Sequence, residues 1–447
     1  MVSFASNVFK KWFGPFTWPE FKKYFSLGLI FAFIIGTYWA LRPLKEAIFG
    51  TIVGGGKYLA IAKMVSMTLL FPVVTLYVRA VEKFERHKMF YVISAFYFVM
   101  LICWSIFFSL PDLGLSNTVA SPWRISGWLW YVFVESFGSL VVALFWAFTT
   151  DISDPKSAKY GFPLVVIIGQ LGGIIMPKYL AQIPVILGTT NAPLVGLCSI
   201  FTVFVALFVF LFLKITPKDQ LVGFKGSIET KKKEKPKFLD GLSLLLKNKY
   251  LLGILFVVTS FEVIVEFISF NFKSEVIATF TTDVARNVYL SNWSSAVNTV
   301  TFLCLFFGIN NLQRWLGVRF ALTVTPVVLG AFVFIFRTYH CLDVLFWLVI
   351  GGKAIGYSLN GPTTKQLYVP TSYTVKYKAQ PWIETFGSRG GKTLPSMLNV
   401  FKDSISSNIY LLIIFYMSFG ILGLWTIVAL FLGKSYNKAL KTGDAVA

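Results

Sequence analysis

Charge is what this chain has least of. Only 14% of its 447 residues are Asp, Glu, Lys or Arg, against about 25% in a soluble domain. A water-exposed globular surface cannot be covered with so few. Cysteine is scarce as well. Cys103, Cys198, Cys304 and Cys341 are scattered through apolar segments, with neither the spacing of a metal site nor the pattern of a disulfide framework. The two histidines, His87 and His340, stand far apart with no acidic or cysteine cluster beside them, which argues against a metal centre. No cofactor is expected. Residues 1–24 hold Trp12, Phe13, Phe16 and Trp18 among lysines. They lack the apolar core of a signal peptide and the Arg- and Ser-rich character of a transit peptide, and they read as an amphipathic interfacial segment.

What the chain has is long apolar runs. Phe25 to Leu41, Phe90 to Leu110, Val195 to Leu213, Phe320 to Phe336 and Tyr410 to Leu432 are nearly free of charge, and each approaches the roughly 20 residues that a bilayer-spanning helix needs. Backbone amides in lipid must be satisfied within the segment, so these runs read as helices. About twelve spans fit that ruler, centred near Phe33, Leu69, Val99, Ser139, Ile168, Val205, Val258, Val300, Val327, Leu348, Met397 and Gly420. The two near Ile168 and Met397 are short and rich in Gly, Pro or polar residues. The expected fold is an all-α polytopic membrane protein of two six-helix halves.

The net charge of +21 has a simple source in the positive-inside rule. Lysines and arginines gather at the N-terminus (Lys10, Lys11, Lys22, Lys23), around Arg86, Lys156, Arg314 and Lys376, in the run Lys231-Lys232-Lys233-Glu234-Lys235, and at Lys434, Lys438 and Lys441. With twelve spans all of these share one side, which puts both termini in the cytoplasm. Nucleic-acid binding is not needed to explain the charge, and none is expected. The most polar stretch, about Thr216 to Asp240, separates six spans from six. The expected organisation is therefore an N-terminal segment (1–24), a first half (25–215), a basic cytoplasmic linker (216–249), a second half (250–433) and a cytoplasmic tail (434–447). Transporters of this outline bind substrate near the bilayer midplane where the halves meet. Both halves lie in one chain, so a monomer suffices.

The halves echo one another. Span one ends Arg42-Pro43-Leu44-Lys45-Glu46, and span seven ends Phe272-Lys273-Ser274-Glu275. Each brings a lysine, with a glutamate just after it, to the same end of an equivalent helix. Span four carries Glu135 and span ten carries Lys353 at comparable depth. Ionisable groups inside spans cost about 2.5–3.5 kcal/mol each on insertion scales and are functional candidates for that reason. Glu266 is another, with Glu262 one helical turn earlier on the same face. Arg42, Lys45 and Lys273 lie near helix ends, where snorkelling to the interface is an equal alternative.

One stretch imitates a phosphate-binding loop. Gly387-Ser388-Arg389-Gly390-Gly391-Lys392-Thr393 is one residue short of the P-loop spacing, and no strand pattern precedes it. An ATPase is therefore excluded. The residual expectation is a helix start whose amides favour an anion, with Arg389 and Lys392 adding charge. Gly54-Gly55-Gly56-Lys57 reads as a loop.

Several segments resemble the bacterial and plastid-type ATP/ADP translocases. They are Trp130 to Val141 with Leu144-Phe145-Trp146, Lys247-Asn248-Lys249-Tyr250-Leu251-Leu252, Tyr357-Ser358-Leu359-Asn360-Gly361-Pro362-Thr363 followed by Tyr368-Val369-Pro370, and Gly387 to Thr393. The similarity runs from about Gly36 to Ser396 and implies a major-facilitator-like fold. Carried over by position, the family's functional charges fall on Lys45, Glu135 and Lys392. Its acidic residue in span seven falls on Ser269, with Glu266 the nearest carboxylate. Asn360-Gly361 stands where the family has Phe-Asp, Thr364-Lys365 where it has Lys-Glu, and Gln170 where it has Asn.

The leading expectation is a nucleotide transporter of a bacterial inner membrane, not an enzyme, exchanging ATP and ADP by alternating access. Lys45, Glu135, Lys273, Lys353, Arg389 and Lys392 are the substrate-binding candidates, with Arg42, Glu266 and Asn360 in support. A proton-coupled nucleotide importer is the rival within the class. A membrane enzyme or a non-transporting receptor on a transporter fold is the rival outside it. The membrane enzyme would need a nucleophile, base or metal constellation that the sequence does not show.

Overall fold

The structure is a computed structural model and describes residues 17–83, 86–153, 155–221, 238–306, 310–372, 375 and 379–442. All regular structure among them is helical. The principal helices are α1 (Trp18–Ile52), α2 (Lys57–Lys83), α3 (Arg86–Ser109), α4 (Ile125–Asp151), α5 (Pro155–Leu180), α6 (Ala192–Ile215), α7 (Lys249–Thr279), α8 (Asp283–Phe306), α9 (Asn310–Thr338), α10 (Leu342–Ile355), α11 (Ser388–Asn399) and α12 (Ser407–Thr442). Every expected span centre falls in one of them. Most of the linker, the N-terminal lysines Lys10 and Lys11, and Lys376 lie outside the described residues, as do the side chains of Arg86, Lys156 and Arg314.

Nine helices among the described residues are long and apolar enough to cross a bilayer. The expected spans near Val300 and Met397, carried by α8 and α11, fall short of that standard, and much of α2, which carries the span near Leu69, has side chains outside the described residues. For α8 the reason is chemical. Its polar face of Asn287, Ser291, Ser294, Ser295 and Asn298 is buried in the protein, where side chains and backbone can satisfy it. For α11 it is length, since 12 residues rise only about 18 Å. The span near Ile168, expected to be weak, meets the criterion with 27 residues from Gly161 to Leu187.

Local chemistry sets the ends and irregularities. A capping box opens α1. The Thr17 hydroxyl accepts from the Glu20 amide, and the Glu20 carboxylate accepts from the Thr17 amide at 2.9 Å, which satisfies two otherwise orphaned donors. Pro19 follows in the first turn. Lys23, read from sequence as one of a solvated basic cluster, is instead buried and donates to the carbonyls of Ile152 and Gln220. It ties the start of α1 to the end of α4 and the turn after α6. Helix α10 widens into a π turn at Gly356–Asn360 before Pro362. A proline has no N–H and crowds the carbonyl four residues back, and a π turn is a common way to absorb that conflict.

Two compact units form, and neither is a contiguous block of chain. The first comprises residues 1–54, 68–233 and 280–302, and the second comprises 55–67, 234–279 and 303–447. In the first, α1 packs along α5, against α6 and against α4, and α3 packs on α6. Glycines permit the closest crossing, for a Cβ on Gly172 would stand 1.9 Å from the carbonyl oxygen of Ala32. The start of α8 is bound into this unit by a buried polar network. The Asp283 carboxylate accepts from the backbone and side-chain amides of Asn191, each at 2.9 Å. Asn287 donates to Asn191 at 3.0 Å and Arg286 to the Thr51 hydroxyl at 2.9 Å.

In the second unit α7 is the central helix, packed by α10, α11 and α12, with α9 against α12. The start of α2 is bound here by the mirror-image device. Its first amide, at Lys57, donates to the Asp403 carboxylate at 3.0 Å, and Gly56 reaches that turn with φ +57°.

Candidate functional site

The functional charges gather into one cluster in each unit. In the first, Lys45 is buried on α1 and its ammonium pairs with Glu135 of α4 and, at 3.2 Å, with its neighbour Glu46. It also lies 4.1 Å from the centroid of the Tyr131 ring. Pro43 stands two residues before it in an unbroken helix. Glu135 keeps 34% of its side chain exposed while Lys45 keeps 3%, so the carboxylate is the accessible end of the pair. Arg42 lies over Trp39 at 5.0 Å and Trp293 at 5.6 Å, a cation held by two aromatic faces. Positive and negative charges balance within this cluster.

In the second unit they do not. Glu262 and Glu266 occupy successive turns of α7. Glu266 is buried and pairs with Lys63 from the start of α2, and the charges of Lys273 and Lys353 also act on it. Glu262 accepts from the Ser388 hydroxyl at 2.8 Å and faces Lys392 at 3.4 Å, with Lys353 acting on it too. Four lysines thus bear on two carboxylates. Lys273 and Lys353 are both buried.

The glycine-rich stretch requires a correction. It does not open a helix. Helical backbone is already present at Ala379, passes through a π turn at Ile383–Gly387 and continues into α11, and Gly387 itself has helical φ and ψ of −62° and −50°. Its amides are therefore not presented as an anion-binding N-terminus. The glycines serve packing instead. A Cβ on Gly391 would stand 2.7 Å from the Thr259 carbonyl of α7. With Gly387 one turn earlier, this is the small-residue spacing that lets two helices approach closely. That approach brings Ser388 and Lys392 onto Glu262. Arg389 is half-buried on the same helix, and Asn360 is buried in the π turn of α10, where its carbonyl accepts from Thr364 at 2.8 Å.

Of the residues expected from sequence, Lys45 and Glu135 meet in the first unit. Lys273, Lys353 and Lys392 gather around Glu262 and Glu266 in the second. Lys63 was missed. The signal was present, since it is a lysine set inside the apolar start of α2 (Tyr58 to Met67), and the depth argument applied to Glu135 applies to it equally.

The chain matches the family described as TLC ATP/ADP transporter over residues 3–436. It belongs to the TLC ATP/ADP transporter family. Relatives within reach of its sequence include "ADP,ATP carrier protein 3" of Rickettsia bellii (strain RML369-C), 24% identical across 95% of this chain and 97% of the relative. "ADP,ATP carrier protein 4" of the same strain is 21% identical across 97% and 94%. The fold of this TLC-family chain is major-facilitator-like. A bacterial homologue of the iron transporter ferroportin, in an inward-facing state, superposes with a TM-score of 0.59 over 94% of this chain and all of that one, at 12% identity. A POT family transporter in complex with 5-aminolevulinic acid also gives 0.59, over 91% and 96%, at 10% identity. The protein is thus a multi-pass membrane transporter of the TLC family and not an enzyme.

Proposed function

We propose that this TLC-family transporter exchanges nucleotides across a bacterial inner membrane, with ATP and ADP as its substrates, by alternating access and without making or breaking a bond. The observation that carries this reading is the convergence of Lys63, Lys273, Lys353 and Lys392 on Glu262 and Glu266. Concentrating positive charge within membrane-spanning helices is costly, and a multiply charged anion recovers that cost by replacing water around the ammonium groups with charge-assisted hydrogen bonds. The balanced cluster in the first unit has a different task. The Lys45–Glu135 pair holds the cation neutral while no substrate is bound and leaves the carboxylate accessible to a ribose or base. The names of the relatives point to the same substrates, and the basic loops of the sequence favour a cytoplasmic side for both termini.

The test is uptake of labelled ADP by purified protein in liposomes loaded with ATP, with empty liposomes and an imposed pH gradient as comparisons. Exchange requires uptake that depends on internal nucleotide. Uptake driven by the pH gradient alone would establish the proton-coupled importer instead. No uptake and no binding of any nucleoside phosphate would remove the nucleotide reading.

A further inference from the structure

We infer that Lys63 is a phosphate ligand of the transporter, which assigns the start of α2 to the substrate site of the second unit. This rests on the nucleotide reading above. Three lysines act on Glu266, and they are not equivalent. Lys273 and Lys353 are buried. Lys63 keeps 20% of its side chain exposed while Glu266 keeps 6%. An ammonium carries three N–H donors. The bond to Glu266 uses one, and the partial exposure of the side chain leaves room for a ligand to take another.

Position supports the same role. Glu262 and Glu266 lie one turn apart on the same face of α7, with a separation of about 5–6 Å between the Cβ atoms of such a pair. Lys392 and Lys63, each partly exposed and each held by one of these carboxylates, therefore meet α7 on successive turns, as two cations sharing a chain of phosphates would. The segment that delivers Lys63 is residues 55–67, which joins the second unit although the rest of α2 belongs to the first. Its anchorage is specific, through the Lys57 amide on Asp403 and the Thr393 hydroxyl within 2.8 Å of the Met67 sulfur. Lys63 is thus supplied by the first half of the sequence to a site built on the second. A lysine whose only work is to neutralise Glu266 would not need that exposure.

The two roles are separated by a mutant cycle on the full-length protein in detergent, with ADP, AMP and adenosine as probes. Lys63→Met should weaken ADP binding about tenfold or more, the usual size of a lost charge-assisted contact. AMP should lose less and adenosine nothing, because the loss follows phosphate. Lys63→Arg should recover part of the affinity. The decisive arm is Lys63→Met made in a Glu266→Gln background, where no carboxylate remains to be neutralised. A further loss of about tenfold there supports the phosphate-ligand role. ADP affinity equal to that of Glu266→Gln alone would assign Lys63 to the ion pair and overturn the inference, with nucleotide binding intact. A wild-type protein that binds no nucleoside phosphate would overturn the functional reading and this inference together.

Discussion

Glu135 of α4 and Lys45 of α1 form an ion pair in which the lysine is enclosed and the carboxylate stays accessible. Removing the accessible partner leaves a buried cation facing only Glu46, and breaking a buried pair from one side is the costly way to break it. Glu135→Gln should therefore impair turnover more than binding. Lys45 would remain to attract nucleotide, but the empty protein would lose the anion that resets it. ADP binding and liposome exchange measured on one preparation check this. Wild-type exchange rates in the variant would remove Glu135 from the site.

Lys392 faces Glu262 with 39% of its side chain exposed. Lys392→Ala should lose one charge-assisted contact to nucleotide, worth about 1.5–3 kcal/mol before screening at so exposed a group reduces it. A fall in affinity of about tenfold is expected. Lys392→Arg should be partly tolerated, since a planar fork does not reproduce a compact ammonium. Titration calorimetry on the folded variants measures both.

The neighbouring glycines of α11 separate a packing role from a phosphate cradle. A Cβ on Gly390 meets open space, whereas one on Gly391 meets the backbone of α7 at Thr259. Gly390→Ala should be silent. Gly391→Ala should cost stability, by the about 1–3 kcal/mol typical of overpacking, seen as a lower melting temperature, and should weaken nucleotide binding by lifting Lys392 away from Glu262. Equal effects at both positions would contradict the packing assignment.

Asp283 accepts two hydrogen bonds from Asn191 in a buried setting. Asp283→Ala leaves both donors without their acceptor, at about 1–3 kcal/mol for each unsatisfied group, and a clear drop in thermal stability is expected. Asp283→Asn should cost less, because one carboxamide oxygen can still serve the backbone amide. Thermal unfolding of the two variants in detergent ranks them.

Substrate charge is open to competition. ATP and ADP should displace a labelled nucleotide well, and adenosine poorly, if the lysines of the second unit read phosphate. Equal competition by adenosine and ATP would exclude phosphate as the main recognition element. Orientation is open to labelling, since cysteines placed at the termini and in the linker should resist an impermeant reagent added outside.

The sequence by itself determined the class of molecule. Apolar runs of bilayer length are properties of consecutive residues, and every expected span centre falls in a helix. The motif resemblance likewise survived, because family membership is a matter of residues in order. Glu135 and Lys353 could be chosen from sequence because an ionisable group inside an apolar run is costly wherever it lies, whereas Lys45 and Lys392 came from the halves' echo, the glycine-rich stretch and the family resemblance. Partners were another matter. Nothing local says that Lys63 meets Glu266 or that Lys392 meets Glu262, since each pair depends on how two distant helices cross. The same holds for Gly387 and Gly391. Their run suggested an anion-favouring helix start until the crossing of α11 on α7 showed that they make room for a neighbouring backbone. Lys23 looked like a solvated charge and proved to be a buried donor, because only the assembled unit brings two free carbonyls within its reach. Burial and pairing are relations between helices, so the tertiary structure alone could decide them.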